Sequence, residues 1–130
     1  MTSLSPTPRI LVVEDNSLTR EFVVDLIASF GYGVISAADG IEAMRVIGET
    51  PSIELVFTDV SIPGVDGIVL ADMVKQHRPA LKILYTTGGQ GIVRLKTEAG
   101  ILHGNVLTKP YRPEELRAEI ARLLAENPPG

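Results

Sequence analysis

The feature that most constrains the fold is an alternation. Five short, nearly unbroken apolar runs each give way to a turn or to a stretch with helical spacing. The runs are Ile10-Leu11-Val12-Val13, Val34-Ile35-Ser36-Ala37, Ile53-Glu54-Leu55-Val56-Phe57-Thr58, Leu81-Lys82-Ile83-Leu84-Tyr85-Thr86 and Val106-Leu107-Thr108. A strand with one wet face alternates apolar and polar residues, whereas a strand covered on both faces reads as a continuous Val/Ile/Leu run. Strands of the second kind, separated by helices, make a parallel α/β sheet wound on both sides. The expected fold is therefore a doubly wound, five-stranded parallel sheet with five helices.

The helical segments carry their own punctuation. From Ser17 to Phe30, Leu18, Phe22, Leu26 and Phe30 recur at every fourth residue, with Val23 and Ile27 widening the stripe expected to be buried. Gly31 follows where a C-terminal glycine belongs. Asp39, with Glu42 three residues on, has the spacing of a capping box and is read as structural. Pro51 closes the second helix, and Ser61-Ile62-Pro63-Gly64-Val65-Asp66-Gly67 is a turn-rich loop before a third that ends near Pro79. Asp66 reads as a cap. The helix after Gly88-Gly89-Gln90-Gly91, roughly Ile92 to Ala99, has the weakest pattern. The last begins near Pro113 and should bury Leu116, Ile120, Leu123 and Leu124 before Asn127-Pro128-Pro129-Gly130 stops it. One domain over residues 9–126 is expected, with tails at 1–8 and 127–130.

Composition narrows the function by exclusion. A net charge of −4 argues against the basic patch of a nucleic-acid binder. The absence of cysteine removes disulfides, thiol catalysis and thiolate metal sites. No apolar stretch approaches the ~18 residues of a membrane span. Residues 1–8 have neither the basic start nor the apolar core of a secretory signal. A cytoplasmic protein without membrane contact is the expectation.

The chemistry gathers where strands end. Glu14-Asp15 follows the first run, Asp59 the third, and Lys109 the fifth. In an open parallel sheet the crevice outside the carboxyl ends of the strands is where ligands bind. Three carboxylates there repel one another unless a hard cation lies between them. Acids, a metal and a lysine around one point suit the handling of phosphate. The plainer alternative for Glu14-Asp15 is a solvated loop favoured by a helix N-terminus. Asp59 lies too far ahead of the next helix for that duty. His77 and His103 carry no local signal, and the glycine run at 88–91 lacks the Gly-Lys-Ser/Thr ending of a P-loop.

In order along the chain, Ile10-Leu-Val-Val-Glu-Asp15, Thr58-Asp59-Val-Ser-Ile-Pro63-Gly-Val-Asp66-Gly67, Thr87-Gly88 and Lys109-Pro110-Tyr111 resemble the receiver domains of two-component response regulators, the CheY-like superfamily. The resemblance runs from Arg9 to about Ala125, and the wording around Thr87 is similar to receivers joined to, or partnering, hybrid histidine kinases. It implies strand order 2-1-3-4-5. It implies Asp59 as the phosphoacceptor, and Mg²⁺ held by Glu14, Asp15, Asp59 and the backbone carbonyl of Ser61. Thr87 and Lys109 would each engage a phosphoryl oxygen. In this family the Lys-Pro bond after the fifth strand is often cis. The implied partners are a histidine kinase or histidine phosphotransfer protein and a downstream protein, on a monomer or weak dimer. The chain would then be a phosphorylation-controlled binding module without an output domain, catalysing only its own phosphoryl transfer and dephosphorylation.

Val106 stands where many receivers carry a Tyr or Phe that turns inward on phosphorylation. Activation is accordingly expected to reshape the Gly88–Gly104 segment. Ser61 and Gly89 would flank the site without obstructing water. A receiver-like module that is never phosphorylated remains an alternative. A small aspartyl-phosphate phosphatase of the haloacid-dehalogenase kind would place its nucleophile after the first strand, where this chain has Glu14-Asp15-Asn16-Ser17. A flavodoxin-like cofactor binder would need a phosphate loop there, and two acids oppose it.

Overall fold

The computed structural model describes residues 7–60, 67–88 and 105–125. Its strands are β1 (Pro8–Val13), β2 (Gly33–Ala37), β3 (Leu55–Asp59), β4 (Lys82–Thr87) and β5 (Asn105–Thr108). They pair in parallel as one five-stranded sheet in the order β2-β1-β3-β4-β5, the expected topology. Among the described residues the helices are α1 (Ser17–Ser29), α2 (Gly40–Glu49), α3 (Gly67–His77) and α4 (Pro113–Ala125). The helix expected over 92–99, together with Ser61, Asp66, Gly89 and His103, lies outside the described residues.

Each strand feeds two cores, because successive side chains point to opposite faces. Leu11, Val13, Val56, Ile83 and Tyr85 pack on one face against Ala43, Val46 and Ile47 of α2 and Leu70, Ala71 and Val74 of α3. Ile10, Val12, Leu55, Phe57, Leu84 and Leu107 pack on the other against Val23 and Ile27 of α1 and Leu116, Ile120 and Leu123 of α4. Leu124 packs at the margin of that core. Val106 is half-buried against the α2–α3 side.

The caps form as their residues suggest. Asp39 accepts a hydrogen bond from Glu42 N at 2.8 Å, and Glu42 Oε1 accepts one from Ala38 N at 2.8 Å. Gly31 takes φ +101°, a left-handed geometry that a side chain would strain, and its N–H closes on Ala28 O at 2.9 Å.

One expectation fails. Leu18 and Phe22 are 78% and 65% exposed, so α1 is buried through Val23 and Ile27 instead. Leu26 and Phe30 are partly covered. The reason is rotation. At 3.6 residues per turn, an every-fourth row winds about 40° around the helix at each step, so one row cannot face the sheet along its whole length.

At the amino ends of the strands, polar groups are tightly paired. Arg9 grips Glu54 through two hydrogen bonds, at 2.6 and 3.2 Å, and lies 5.7 Å from the Tyr32 ring centroid. Arg78, just after α3, donates to the carbonyls of Ile47, Thr50, Pro51 and Ile53 at 2.7–3.3 Å. That guanidinium satisfies oxygens that the end of α2 leaves without helical partners.

Candidate functional site

The carboxyl ends of β1, β3 and β5 bring the acids and the lysine to one rim. β1 and β3 are adjacent in the sheet, so Glu14-Asp15 and Asp59 emerge side by side. Lys109 follows β5 and reaches back, its Nζ 2.6 Å from Asp59 Oδ2. The pair spans 50 positions of sequence, so it exists only because the sheet is assembled. The Asp59 side chain is 19% exposed, which leaves it open to a small reactant and still shielded enough for the ammonium to matter.

The loop after β1 is held in a fixed shape. Glu14 N continues the β1–β2 ladder by donating to Ala37 O at 3.1 Å. Asn16 caps α1 by accepting from Thr19 N at 2.9 Å, and its own N–H donates to Glu14 Oε2 at 3.0 Å. Arg20, one turn into α1, donates to Glu14 O at 2.9 Å and makes a longer contact to Asp15 O at 3.5 Å. Burial pushes the Glu14 carboxyl above its usual range; Asn16 N–H opposes the shift, Asp15 adds to it, and Lys109 opposes it. Glu14 is thus a carboxylate that a nearby cation would relieve.

Two threonines close β4. Thr87 is buried, its hydroxyl donates to Gly88 O at 3.2 Å, and its carbonyl accepts from Lys109 N at 2.9 Å. Thr86 is paired with Asp59 in the β3–β4 register, and its buried hydroxyl has no hydrogen-bond partner among the described residues. The Lys109–Pro110 peptide is cis, as the resemblance implies. Tyr111 packs edge-on against Phe57, with ring centroids 6.2 Å apart.

Gly67 sets the floor beneath Asp59. Its N–H donates to Val60 O at 2.8 Å, and a Cβ there would collide with the backbone of Asp59 and Val60. No larger residue fits without moving the acid. The Asp66-Gly67 turn signal pointed to this place without showing the close approach. Asn16 escaped the sequence reading as a cap, although an amide side chain directly before a helix is a capping signal; Arg20 gave no signal, since nothing in its spacing indicates backbone carbonyls as partners.

The exposed Phe22 now has a context. With Thr19, Leu26, Lys109, Pro110 and Tyr111 it lines a groove of about 520 Å³ beside the acid rim.

Among the described residues, no three acidic or histidine side chains gather closely enough to form a metal cage. The donor set nevertheless suits Mg²⁺. This ion keeps several waters and binds through one or two carboxylates rather than an all-protein cage. Glu14, Asp15 and Asp59 offer hard oxygens at neighbouring strand ends. Among the described residues no helix is long and apolar enough to cross a membrane.

The comparisons with known proteins agree with this geometry. The model of the response regulator receiver domain family matches residues 10–121. The aerobic respiration control protein ArcA of Escherichia coli is 32% identical over 119 residues, which cover 92% of this chain and 49% of ArcA. The chain thus spans about half the length of that relative. The response regulator receiver protein CpdR of Brucella abortus is 33% identical over 116 residues, 89% of this chain and 96% of CpdR. A receiver domain protein from Clostridium thermocellum superposes with a TM-score of 0.85 at 24% identity, over 91% of this chain and 94% of its own, which is a likeness of fold. The chain belongs to the response regulator receiver domain family of two-component signalling.

Proposed function

We propose that this receiver is an active phosphoacceptor, with Asp59 as the residue that carries the phosphoryl group. The observation that carries the reading is the 2.6 Å contact between Lys109 Nζ and Asp59 Oδ2, beside the acids of the neighbouring strand. A carboxylate oxygen of Asp59 attacks phosphorus as the phosphorus–nitrogen bond of a phosphohistidine breaks, and that bond's electron pair returns to the imidazole. Lys109 stays in place to bind a phosphoryl oxygen. The Thr87 hydroxyl exchanges the Gly88 carbonyl for a second phosphoryl oxygen. Glu14, Asp15 and Asp59, with the backbone carbonyl of Ser61, would hold Mg²⁺, whose charge would offset that of the acids and the incoming oxygens. Water then attacks the acyl phosphate, releases inorganic phosphate and restores Asp59. Such chemistry needs positioning and charge rather than elaborate covalent machinery, and a small rim suffices.

The donor is a histidine kinase or a histidine phosphotransfer protein, and the groove beside Lys109 gives such a protein an apolar foothold next to the acceptor. The output is a change in binding to a downstream protein, in the cytoplasm, from a monomer or weak dimer. On this reading the chain catalyses only its own phosphorylation and dephosphorylation.

The test is intact mass after incubation with acetyl phosphate, with and without Mg²⁺, on the wild type and Asp59→Asn. A Mg²⁺-dependent, hydroxylamine-labile adduct absent from the variant is expected. If the wild type forms no adduct and does not bind beryllofluoride, the phosphoacceptor reading is lost and a constitutive binding module takes its place.

A further inference from the structure

Behind the acid rim lies a small cavity of about 30 Å³, lined by Thr86, Glu14 and Lys109 against Val12, Phe57 and Tyr111. A water needs roughly 10–15 Å³ of such space together with at least two polar partners. The cavity meets both conditions. Thr86 is 6% exposed, its hydroxyl has no partner among the described residues, and a buried polar group left so is rare in folded proteins. The Lys109 ammonium is already engaged with Asp59, and Glu14, half-buried, lines the same space. A volume of about 30 Å³ has room for one water and not for a larger ligand.

We propose that this cavity is a binding site for one ordered water, held between the Thr86 hydroxyl and the Glu14 carboxylate, and that Thr86 is thereby a positioning residue for Glu14. The water accepts from or donates to Thr86 and donates to Glu14, so the hydroxyl gains its missing partner. The carboxylate is then fixed from behind, while Asn16 N–H fixes it from the loop side at 3.0 Å. The water site stands on the cavity and the orphan hydroxyl alone; its effect on Mg²⁺ rests on the proposed ligand role of Glu14. Removing a partner that orients a metal ligand typically weakens metal binding by about tenfold or more.

Two measurements on the intact chain test this. Water-to-protein cross-relaxation in NMR should show a long-lived water beside the Thr86 methyl in the wild type, and beside the side-chain CH2 at this position in Thr86→Ser. Calorimetric titration with magnesium chloride should show Thr86→Val binding about tenfold more weakly than wild type. Thr86→Ser, which keeps the hydroxyl, should bind within about twofold of wild type. The water signal needs neither metal nor phosphoryl donor, so a chain that is never phosphorylated would still show it. A dry cavity would overturn the site. Equal Mg²⁺ affinity of Thr86→Val and wild type, with the water present, would overturn the positioning role.

Discussion

The two ends of the same sheet treat their charges differently. At the amino ends, Arg9 and Glu54 close on each other through two bonds, and Arg78 is spread over four carbonyls from α2 and the segment before β3. At the carboxyl ends, Glu14 and Asp15 stand as neighbouring like charges, Glu14 is pushed toward protonation by burial, and the Thr86 hydroxyl is unpartnered. Both ends use acids, arginines or lysines, and both meet solvent. Among the described residues, the amino end satisfies its polar groups within the chain, and the carboxyl end leaves the Thr86 hydroxyl without a partner and Glu14 beside a like charge. A polar group satisfied internally contributes stability, and one left short is available for a ligand.

The comparison can be broken by exchanging what each end is said to do. The largest expected effect is at Arg78. Replacing it with Ala strips several carbonyls of a charged donor, and with partial rehydration the cost is about 3 kcal/mol of folding stability. Denaturant unfolding would read that loss. The rate of acetyl-phosphate labelling per folded molecule should stay within about twofold of wild type, since no substrate group lies at that end. A large fall in labelling by the folded fraction would mean that the two ends are coupled.

The converse is expected at Lys109. Lys109→Met keeps the length of the stem and removes the ammonium that faces Asp59 Oδ2. Loss of a positioned charge at a reacting centre slows chemistry by roughly a hundredfold. Pairs this exposed contribute only about 0–1 kcal/mol to stability. Labelling kinetics by mass should therefore collapse while the unfolding midpoint barely moves. Equal losses in both would make Lys109 a structural lysine and erase the contrast.

Much of this was legible beforehand, for physical reasons that also mark the limit. The runs Ile10–Val13 and Ile53–Thr58 declared strands buried on both faces, because short, nearly continuous apolar runs between turn signals suit a sheet covered on both sides. The acids at 14, 15 and 59 and the lysine at 109 were legible because strand ends in a parallel sheet share one rim. What escaped was whatever depends on rotation or close approach. The row from Leu18 to Phe30 looked like a single buried stripe, yet the winding of the helix turned its first half outward. Gly67 read as a turn glycine, and only the assembled backbone shows Asp59 lying against it. Thr86 and Thr87 are alike as letters; the pairing of one hydroxyl and the isolation of the other are properties of the packed sheet.

The smallest effect expected concerns Tyr111, which touches both the buried face and the charged rim. Burial against Phe57 raises its phenol above the ordinary tyrosine value, and the Glu14 carboxylate adds to the shift by disfavouring a second negative charge. The folded state therefore keeps its proton at a pH where an unfolded tyrosine has begun to lose it. The sign follows from linkage: this contribution to stability is fully present below the ordinary tyrosine value of about 10 and is lost as pH rises through the higher folded value. Ultraviolet titration of tyrosinate should show a late-ionising phenol that disappears in Tyr111→Phe. Glu14→Gln sharpens the comparison between the ends, since it removes the charge that helps to hold this phenol neutral. The variant should move the late step toward ordinary tyrosine by the part due to Glu14, leaving the part due to burial. A step indifferent to Glu14→Gln would show that the acid rim does not act on Tyr111, and the charge contrast between the two ends would then not reach the buried face.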